Sequence, residues 1–253
     1  MKTFRIRTEY KDSQEKLDYF IQNFETEGTP FGDQKRNSLR LFKLKDIQVN
    51  IKSFKVPNIV NQIAYNFFRK SKAQRSYEYG LELIKRGIGT PEPIAYYEFK
   101  TPFLFKKSYY LSEQVDCDLT YRELTHDFNY PDYDAILRAF TRFTFQLHER
   151  GIKFLDHSPG NTLIKKVDDG YQFFLVDLNR MEFKQMNFEE RIKNFDRLTI
   201  HKSMVEVMSD EYAKVSGEDY DKIVNLMWEA TEAFQAKHHK KQRIKKKLRF
   251  WRK

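Results

Sequence analysis

The stretch FLDHSPGNTLIKKVDDGYQFFLVDLNR, residues 154–180, limits the possible folds more than any other part of the chain. Two strand-like runs, TLIKKV and YQFFLV, flank Asp168-Asp169-Gly170, and an Asp-Gly pair between strand runs specifies a tight hairpin. Three isolated polar groups surround that hairpin. Asp156 and Asn161 stand before it, with Pro159 and Gly160 bending the chain between them, and Asp177 closes the apolar run FFLV. A hairpin returns its second strand to where the first began, so this spacing brings all three groups to one strand edge. A hydrophobic core gains nothing from unpaired carboxylates. Taken singly, either Asp reads more readily as a turn or cap residue than as a catalyst; taken together, the three read as a binding site.

The rest of the chain arranges strands first and helices later. Residues 39–56 alternate apolar and polar over two short runs and read as paired strands. Before them, EGTPFGDQKRN (27–37) reads as a turn-rich loop with two glycines, Gly28 and Gly32. Residues 58–86 read as helix in two pieces. Ser71 and Gln74 form a capping box for the second piece, which carries Tyr77, Leu81 and Ile84 on one face. Gly87 ends it, and GTPEP enforces an extended connection. Two further strands follow, around IAYYEF and SYYLSEQ. A helix over 132–150 starts near Asp132 or Asp134, buries Ile136, Leu137, Phe140, Phe143 and Leu147, and stops at Gly151. After residue 187 the pattern is helical to about 236. The 253 residues suffice for two lobes, and this order predicts an α+β chain with two of them.

Phosphoryl transfer to a hydroxyl needs groups of this kind. A carboxylate must orient the hydroxyl and take its proton, oxygen ligands must hold Mg²⁺ against the phosphates, and a cation must fix the phosphate tail. The stretch resembles the catalytic core of the protein-kinase-like superfamily, and most of all the lipopolysaccharide core kinases, which phosphorylate Kdo or heptose of the lipid A-linked inner core. LHERGIKFLDHSPGNTLI, RSYEYGLELIKRGIGTPEPIAYYE and VDLNR carry the resemblance, which spans most of residues 20–200. It implies a two-lobed kinase-like fold using ATP and Mg²⁺, with a strand-rich N-lobe built around one main helix and a helical C-lobe. The lobes would be 1–112 and 119–236, joined by a hinge at 113–118. It implies Asp156 as catalytic base, Asn161 and Asp177 as metal ligands, and Lys52 as the phosphate-binding lysine paired with Glu78. Strand parity supports Lys52 independently: Val49 and Ile51 share one face and Asn50 and Lys52 the other, whereas Lys55 has the opposite parity. Residues 113–115, Glu113 first, would receive adenine on backbone groups. Gly28 and Gly32 would let backbone amides approach phosphate, with charge from Lys35 or Arg36.

The sequence departs from the kinase pattern in several places. Phe154 stands where the family has His, and residue 155 is not Arg. No Ala-Pro-Glu follows Asp177, and Asp177-Leu178-Asn179 replaces Asp-Phe-Gly. These departures predict a kinase without a phosphorylation-gated loop, acting on a small molecule or glycolipid. An atypical protein kinase, an antibiotic phosphotransferase and a membrane-tethered pseudokinase are the rivals. An acidic groove for a cationic acceptor would mark the phosphotransferase. His148 and His157 read as local hydrogen-bonding groups, Arg180 as a structural ion-pair partner, and Cys117 as a packed residue.

Charge is informative through its location. Ten of the 46 Lys and Arg lie in 237–253, which has no acid, leaving 36 against 36 Asp and Glu elsewhere. As a helix this tail aligns Ile244, Leu248 and Trp251 among lysines, a pattern that suits an anionic membrane surface beside a lipid-linked acceptor. A solvated disordered tail is the alternative, and nucleic acid ranks below both because nothing in the neutral body resembles a known reader fold with a basic face. A lone Cys, no signal-peptide pattern and no apolar run near the ~20 residues that span a bilayer predict a cytoplasmic protein, peripheral on the inner membrane face.

Overall fold

The computed structural model describes residues 1–33 and 37–250, with side chains described through residue 247. The chain forms two compact units, one of residues 1–116 with 177–179, the other of 117–176 with 180–253.

The first unit is built on one antiparallel sheet. Its elements are β1 (Lys2–Ile6), a 3₁₀ turn (Thr8–Ser13), α1 (Gln14–Gln22), β2 (Thr29–Phe31), β3 (Ser38–Leu44) and β4 (Ile47–Phe54). Then come α2 (Ile59–Phe67), α3 (Lys72–Lys85), β5 (Pro93–Lys100) and β6 (Phe105–Glu113). The strands lie in the order β1-β5-β6-β4-β3-β2. The strand period of two divides the sheet residues between two cores. Val49, Ile51, Tyr97 and Leu111 pack with Leu17 and Phe20 of α1, whereas Phe54, Tyr96 and Tyr110 pack with Ala73 and Tyr77 of α3. Lys52 pairs across from Tyr110 and so belongs to the α3 side.

Two local readings are corrected here. The 27–37 segment is not all loop, because Thr29–Phe31 forms β2 against Leu39–Leu41 of β3. Gly28 precedes that strand at φ 78, and a Cβ there would lie 2.6 Å from the Phe42 ring, so both backbone and packing require glycine. In α3, Ser71 Oγ accepts from the Gln74 amide at 3.0 Å, but the Gln74 side chain reaches Glu78 instead of closing the box. The buried stripe is Ala73, Ser76, Tyr77, Gly80 and Leu83, and Leu81 and Ile84 are half-buried at its flank.

The second unit comprises β7 (Leu119–Thr120), α4 (Tyr121–Leu124), α5 (Tyr133–Glu149), β8 (Ile152–Phe154), a 3₁₀ turn (Pro159–Asn161), β9 (Thr162–Val167) and β10 (Gly170–Leu175). β11 (Met181–Phe183), α6 (Phe188–Lys193), α7 (Lys202–Ser216) and α8 (Tyr220–Phe250) complete it. β9 and β10 form the expected hairpin, with Val167 opposite Gly170, and β11 pairs with β8. α5 buries all five of its predicted apolar residues, and Phe143 stacks on Phe173 of the hairpin at 5.0 Å. Asp132 precedes α5 in a left-handed conformation, φ 61, without a side-chain cap bond. The basic tail continues α8 as helix; Lys237 to Lys247 are exposed. The Leu248 side chain, Trp251, Lys35 and Arg36 lie outside the described residues. Cys117 is exposed, not packed.

Candidate active site

In the first unit, β4 presents Lys52 and the 177–179 segment presents Asp177. Lys52 Nζ donates to Asp177 Oδ1 at 2.8 Å, and Asn179 Nδ2 donates to the same oxygen at 2.7 Å. The Lys52 side chain is largely shielded and that of Asp177 about one-third exposed, so the pair is partly desolvated. Asp177 has φ 58, a left-handed conformation that costs a non-glycine residue free energy and clusters at functional positions. Two interactions on one carboxylate oxygen hold it there.

The expected Lys52–Glu78 pair is not present. Glu78 accepts from Lys70 Nζ at 2.7 Å and from Gln74 Nε2 at 3.0 Å. Residues 55–77 contain no Asp or Glu, so Lys70 has no acid nearer in sequence than Glu78. Gly28 and Gly32 flank β2 with φ 78 and 73. At the end of β6, Glu113 N donates to Glu92 O at 2.9 Å and Gln114 N to Gln48 O at 2.8 Å, while the Glu113 side chain accepts from the Tyr10 hydroxyl. The first two amides of 113–115 are therefore committed to the protein. The expectation that 113–115 receives adenine would need a backbone donor beyond Gln114.

In the second unit, the loop from β8 to β9 carries Asp156 and Asn161. Asn161 Nδ2 donates to Asp156 O at 2.8 Å, which closes the loop on itself and leaves the amide Oδ1 as the group's acceptor. Val176 N donates to Asn161 O at 3.0 Å, and Asp177 is the next residue. Asp156 Oδ1 accepts from Arg197 Nη1 at 2.8 Å, and Arg180 Nη1 lies 3.8 Å from it. Arg180 is thus close to the catalytic candidate, and Arg197 is the candidate-site residue that the sequence did not mark. It lies 41 residues downstream in NFDRLTI, where no motif marks it.

A pocket of about 360 Å³ adjoins this loop, lined by Arg122, His126, Ser158, Gly160, Arg197, His201 and neighbours. Arg122 approaches so closely that a Cβ on Gly160 would lie 2.5 Å from its Nη2. Among the described residues no acid lines the pocket. His157, within the loop, and His148, on α5, are fully buried. His148 Nδ1 lies 2.9 Å from the Tyr212 hydroxyl and Nε2 3.4 Å from Asn194 Oδ1. Neither ring nitrogen of His157 has a well-formed hydrogen bond among the described residues. Its ring packs among those of Phe140, Phe154 and Phe195. Burial pushes His157 down to about 4, offset only in part by the Asn194 backbone. Burial, reinforced by His157, pushes His148 down to about 3. Burial thus keeps both imidazoles neutral.

Comparisons with known proteins show the family and the fold. The Lipopolysaccharide kinase (Kdo/WaaP) family matches residues 26–225. A 3-deoxy-D-manno-octulosonic acid kinase of Pasteurella multocida (strain Pm70) is 24% identical over 169 residues, covering 65% of this chain and 68% of the relative. Among solved structures, WaaP in complex with acyl carrier protein superposes with a TM-score of 0.63 at 14% identity, covering 94% of this chain and 98% of that one. That likeness gives the two-lobed kinase-like fold. The chain belongs to the lipopolysaccharide kinase (Kdo/WaaP) family and is a kinase of the lipopolysaccharide core.

Proposed function

We propose that this kinase transfers the γ-phosphoryl group of ATP to a hydroxyl of an inner-core sugar, Kdo or heptose, of lipid A-linked lipopolysaccharide. The observation that carries the reading is the Asp156 loop and its pocket. A carboxylate fixed by Arg197 stands beside a cavity lined by two guanidinium groups and two imidazoles. Such a lining attracts a carboxylate- or phosphate-bearing sugar and repels the cationic acceptor of an antibiotic phosphotransferase.

In this reading Asp156 orients the acceptor hydroxyl and takes its proton as the new O–P bond forms and the bond to ADP breaks. Arg197 keeps the carboxylate in place. Lys52, paired with Asp177 in the structure, turns to the α- and β-phosphate oxygens. Glu78, now on Lys70, becomes the acid that steadies Lys52. Gly28 and Gly32 leave room for phosphate against the backbone, and the segment after Glu113 receives adenine.

In this reading Asp177 and Asn161 would be the metal ligands, and a carboxylate and an amide oxygen are hard donors of the kind Mg²⁺ takes. Among the described residues no group of three His, Cys, Asp or Glu forms a metal cage. Mg²⁺ bound with the phosphates would neutralise charge on the transferring group. The tail, helical and strongly basic, would hold the enzyme on the anionic inner face of the cytoplasmic membrane. No helix among the described residues is long and apolar enough to cross a membrane. The pseudokinase reading loses one of its supports, because Phe154 is a fully buried β8 residue that packs against the His157 ring.

The test is transfer of γ-labelled phosphate to dephosphorylated lipid A-core acceptor with Mg²⁺, running Asp156→Ala and Asp177→Ala in parallel. Label in glycolipid with the wild type and none with either variant is expected. ATP binding without transfer to glycolipid would overturn the acceptor assignment.

A further inference from the structure

The helix α2 has no buried residue, although it is rich in Ile, Val and Phe. Successive residues turn by about 100°, so Ile59, Val60, Ile63 and Phe67 fall within one quadrant-wide arc. All four are exposed, Val60 at 71%. The opposite side of the helix faces the sheet, where the Tyr65 ring lies 5.7 Å from that of Phe105. Phe68, just past the last helical residue, is 81% exposed, and its ring lies 6.2 Å from that of Phe67. Phe103, 74% exposed, sits on the β5–β6 turn, which is joined to α2 by Asn66 Nδ2 donating to Pro102 O. Exposed large apolar side chains clustered in this way are what marks an interaction site.

Its surroundings identify the partner. Residues 55–77 contain five Lys or Arg and no acid, and residues 99–112 contain three and no acid. Lys55 and Lys72 line a pocket of about 300 Å³ at the foot of α2, together with Asn58, Asn61, Tyr65 and Ser108. Two ammonium groups and two amides fit a phosphate, and the apolar arc beside them fits hydrocarbon. Lys70, Lys100 and Lys107 have acid partners, so Lys55, Lys72 and Arg69 are the basic groups that would meet an anion.

We propose that α2 and the β5–β6 turn form a docking face for an anionic phospholipid bilayer, with a lipid phosphate in the Lys55–Lys72 pocket and Ile59, Val60, Ile63, Phe67, Phe68 and Phe103 in the acyl boundary. This face lies in the first unit, is separate in sequence from the basic tail, and acts whatever sugar is phosphorylated. An interfacial helix binds through buried apolar area together with attraction to anionic lipid, and removing either part weakens it.

The experiment is sedimentation of the full-length chain with phosphatidylglycerol-containing and pure phosphatidylcholine vesicles. The wild type is compared with Val60→Glu/Phe67→Glu and Lys55→Glu/Lys72→Glu, all at exposed or half-exposed sites, with melting curves confirming the fold. With the tail intact, the first double variant should lose tenfold or more of its partition into anionic vesicles, on the order expected for two insertion residues. The second should lose the preference for anionic over neutral lipid. Emission from Phe67→Trp should be quenched by brominated lipid beyond the wild-type signal. Partition equal to wild type in both double variants, without added quenching, would assign all membrane attachment to the tail and overturn the proposal. Capture of an acidic protein by this face without any vesicle partition would overturn it equally.

Discussion

Lowering the pH from 7 to 5 should remove about 4 kcal/mol of stability through two residues that touch no substrate. His148 and His157 are fully buried and are pushed down to about 3 and about 4 from an ordinary value of 6.5. Between those limits the unfolded chain binds protons that the folded chain refuses, so stability falls as pH falls. The contribution is whole above pH 6.5 and is lost progressively below it, until the folded chain itself takes up the proton near pH 4 for His157 and pH 3 for His148. At pH 5 the unfolded imidazole is almost fully protonated and the folded one is not. Each residue then costs about 2 kcal/mol relative to pH 7, from one and a half pH units at ~1.4 kcal/mol each. That result depends on the unfolded value and only weakly on how far burial depresses the folded one.

The assay is urea unfolding at pH 7, 6 and 5 for the wild type and for His157→Leu. The window lies above the ordinary carboxylate range, so carboxylates contribute little there. Because the His157 ring nitrogens lack well-formed bonds and the ring lies among Phe140, Phe154 and Phe195, Leu should hold most of the stability at pH 7. It should also halve the loss on going to pH 5, to about 2 kcal/mol. A wild type equally stable at pH 7 and 5, or a variant with undiminished pH dependence, would refute the claim that these imidazoles are buried and neutral.

Arg197→Met should lower kcat by about 10–100-fold through a loosened Asp156 while leaving KM for ATP near wild type, and Arg197→Lys should restore part of the loss. A parallel rise in KM for ATP would assign Arg197 elsewhere. Gly28→Ala forces a Cβ onto the Phe42 ring at a left-handed φ, and should cost about 2 kcal/mol, read as a Tm roughly 5 °C lower. Ser71→Ala removes the acceptor of the Gln74 amide at the start of α3. About 1 kcal/mol should be lost, and a Tm unchanged within a degree would rule out the cap as a stabilising contact.

The parts of this protein that could be read from its sequence are those fixed by local rules. The β9–β10 hairpin follows from a turn dipeptide between two strand runs, α5 from its apolar spacing and a glycine stop, and the Lys52 orientation from parity along β4. β2 was missed because three residues with a proline and flanking glycines carry no period; pairing with Leu39–Leu41 makes them a strand. The α3 stripe was shifted because Gly80 and Ser76 are buried for their smallness. A Cβ on Gly80 would lie 2.6 Å from Pro93, a constraint visible only after folding.

The same division runs through the site. Asp156, Asn161 and Asp177 are recognisable because a loop and a hairpin fix their spacing within 22 residues. What governs them is remote: Arg197 reaches Asp156 across 41 residues, and Lys52 reaches Asp177 across 125. Glu78 shows what a pairing rule leaves out. A helix acid was expected to take the strand lysine, yet partners are settled by which opposite charge is nearest and least solvated. Lys52 takes the Asp177 carboxylate held at positive φ beside it, and Lys70, in a segment without acids, takes Glu78. Under the proposed function both ion pairs engage groups that phosphates and metal would claim, so nucleotide binding would have to exchange these partners. Replacing Lys70 with Met should therefore free Glu78 and tighten nucleotide binding by a few-fold, because an exposed pair contributes at most about 1 kcal/mol. Unchanged or weaker ATP affinity in a nucleotide titration would mean that Glu78 never exchanges onto Lys52.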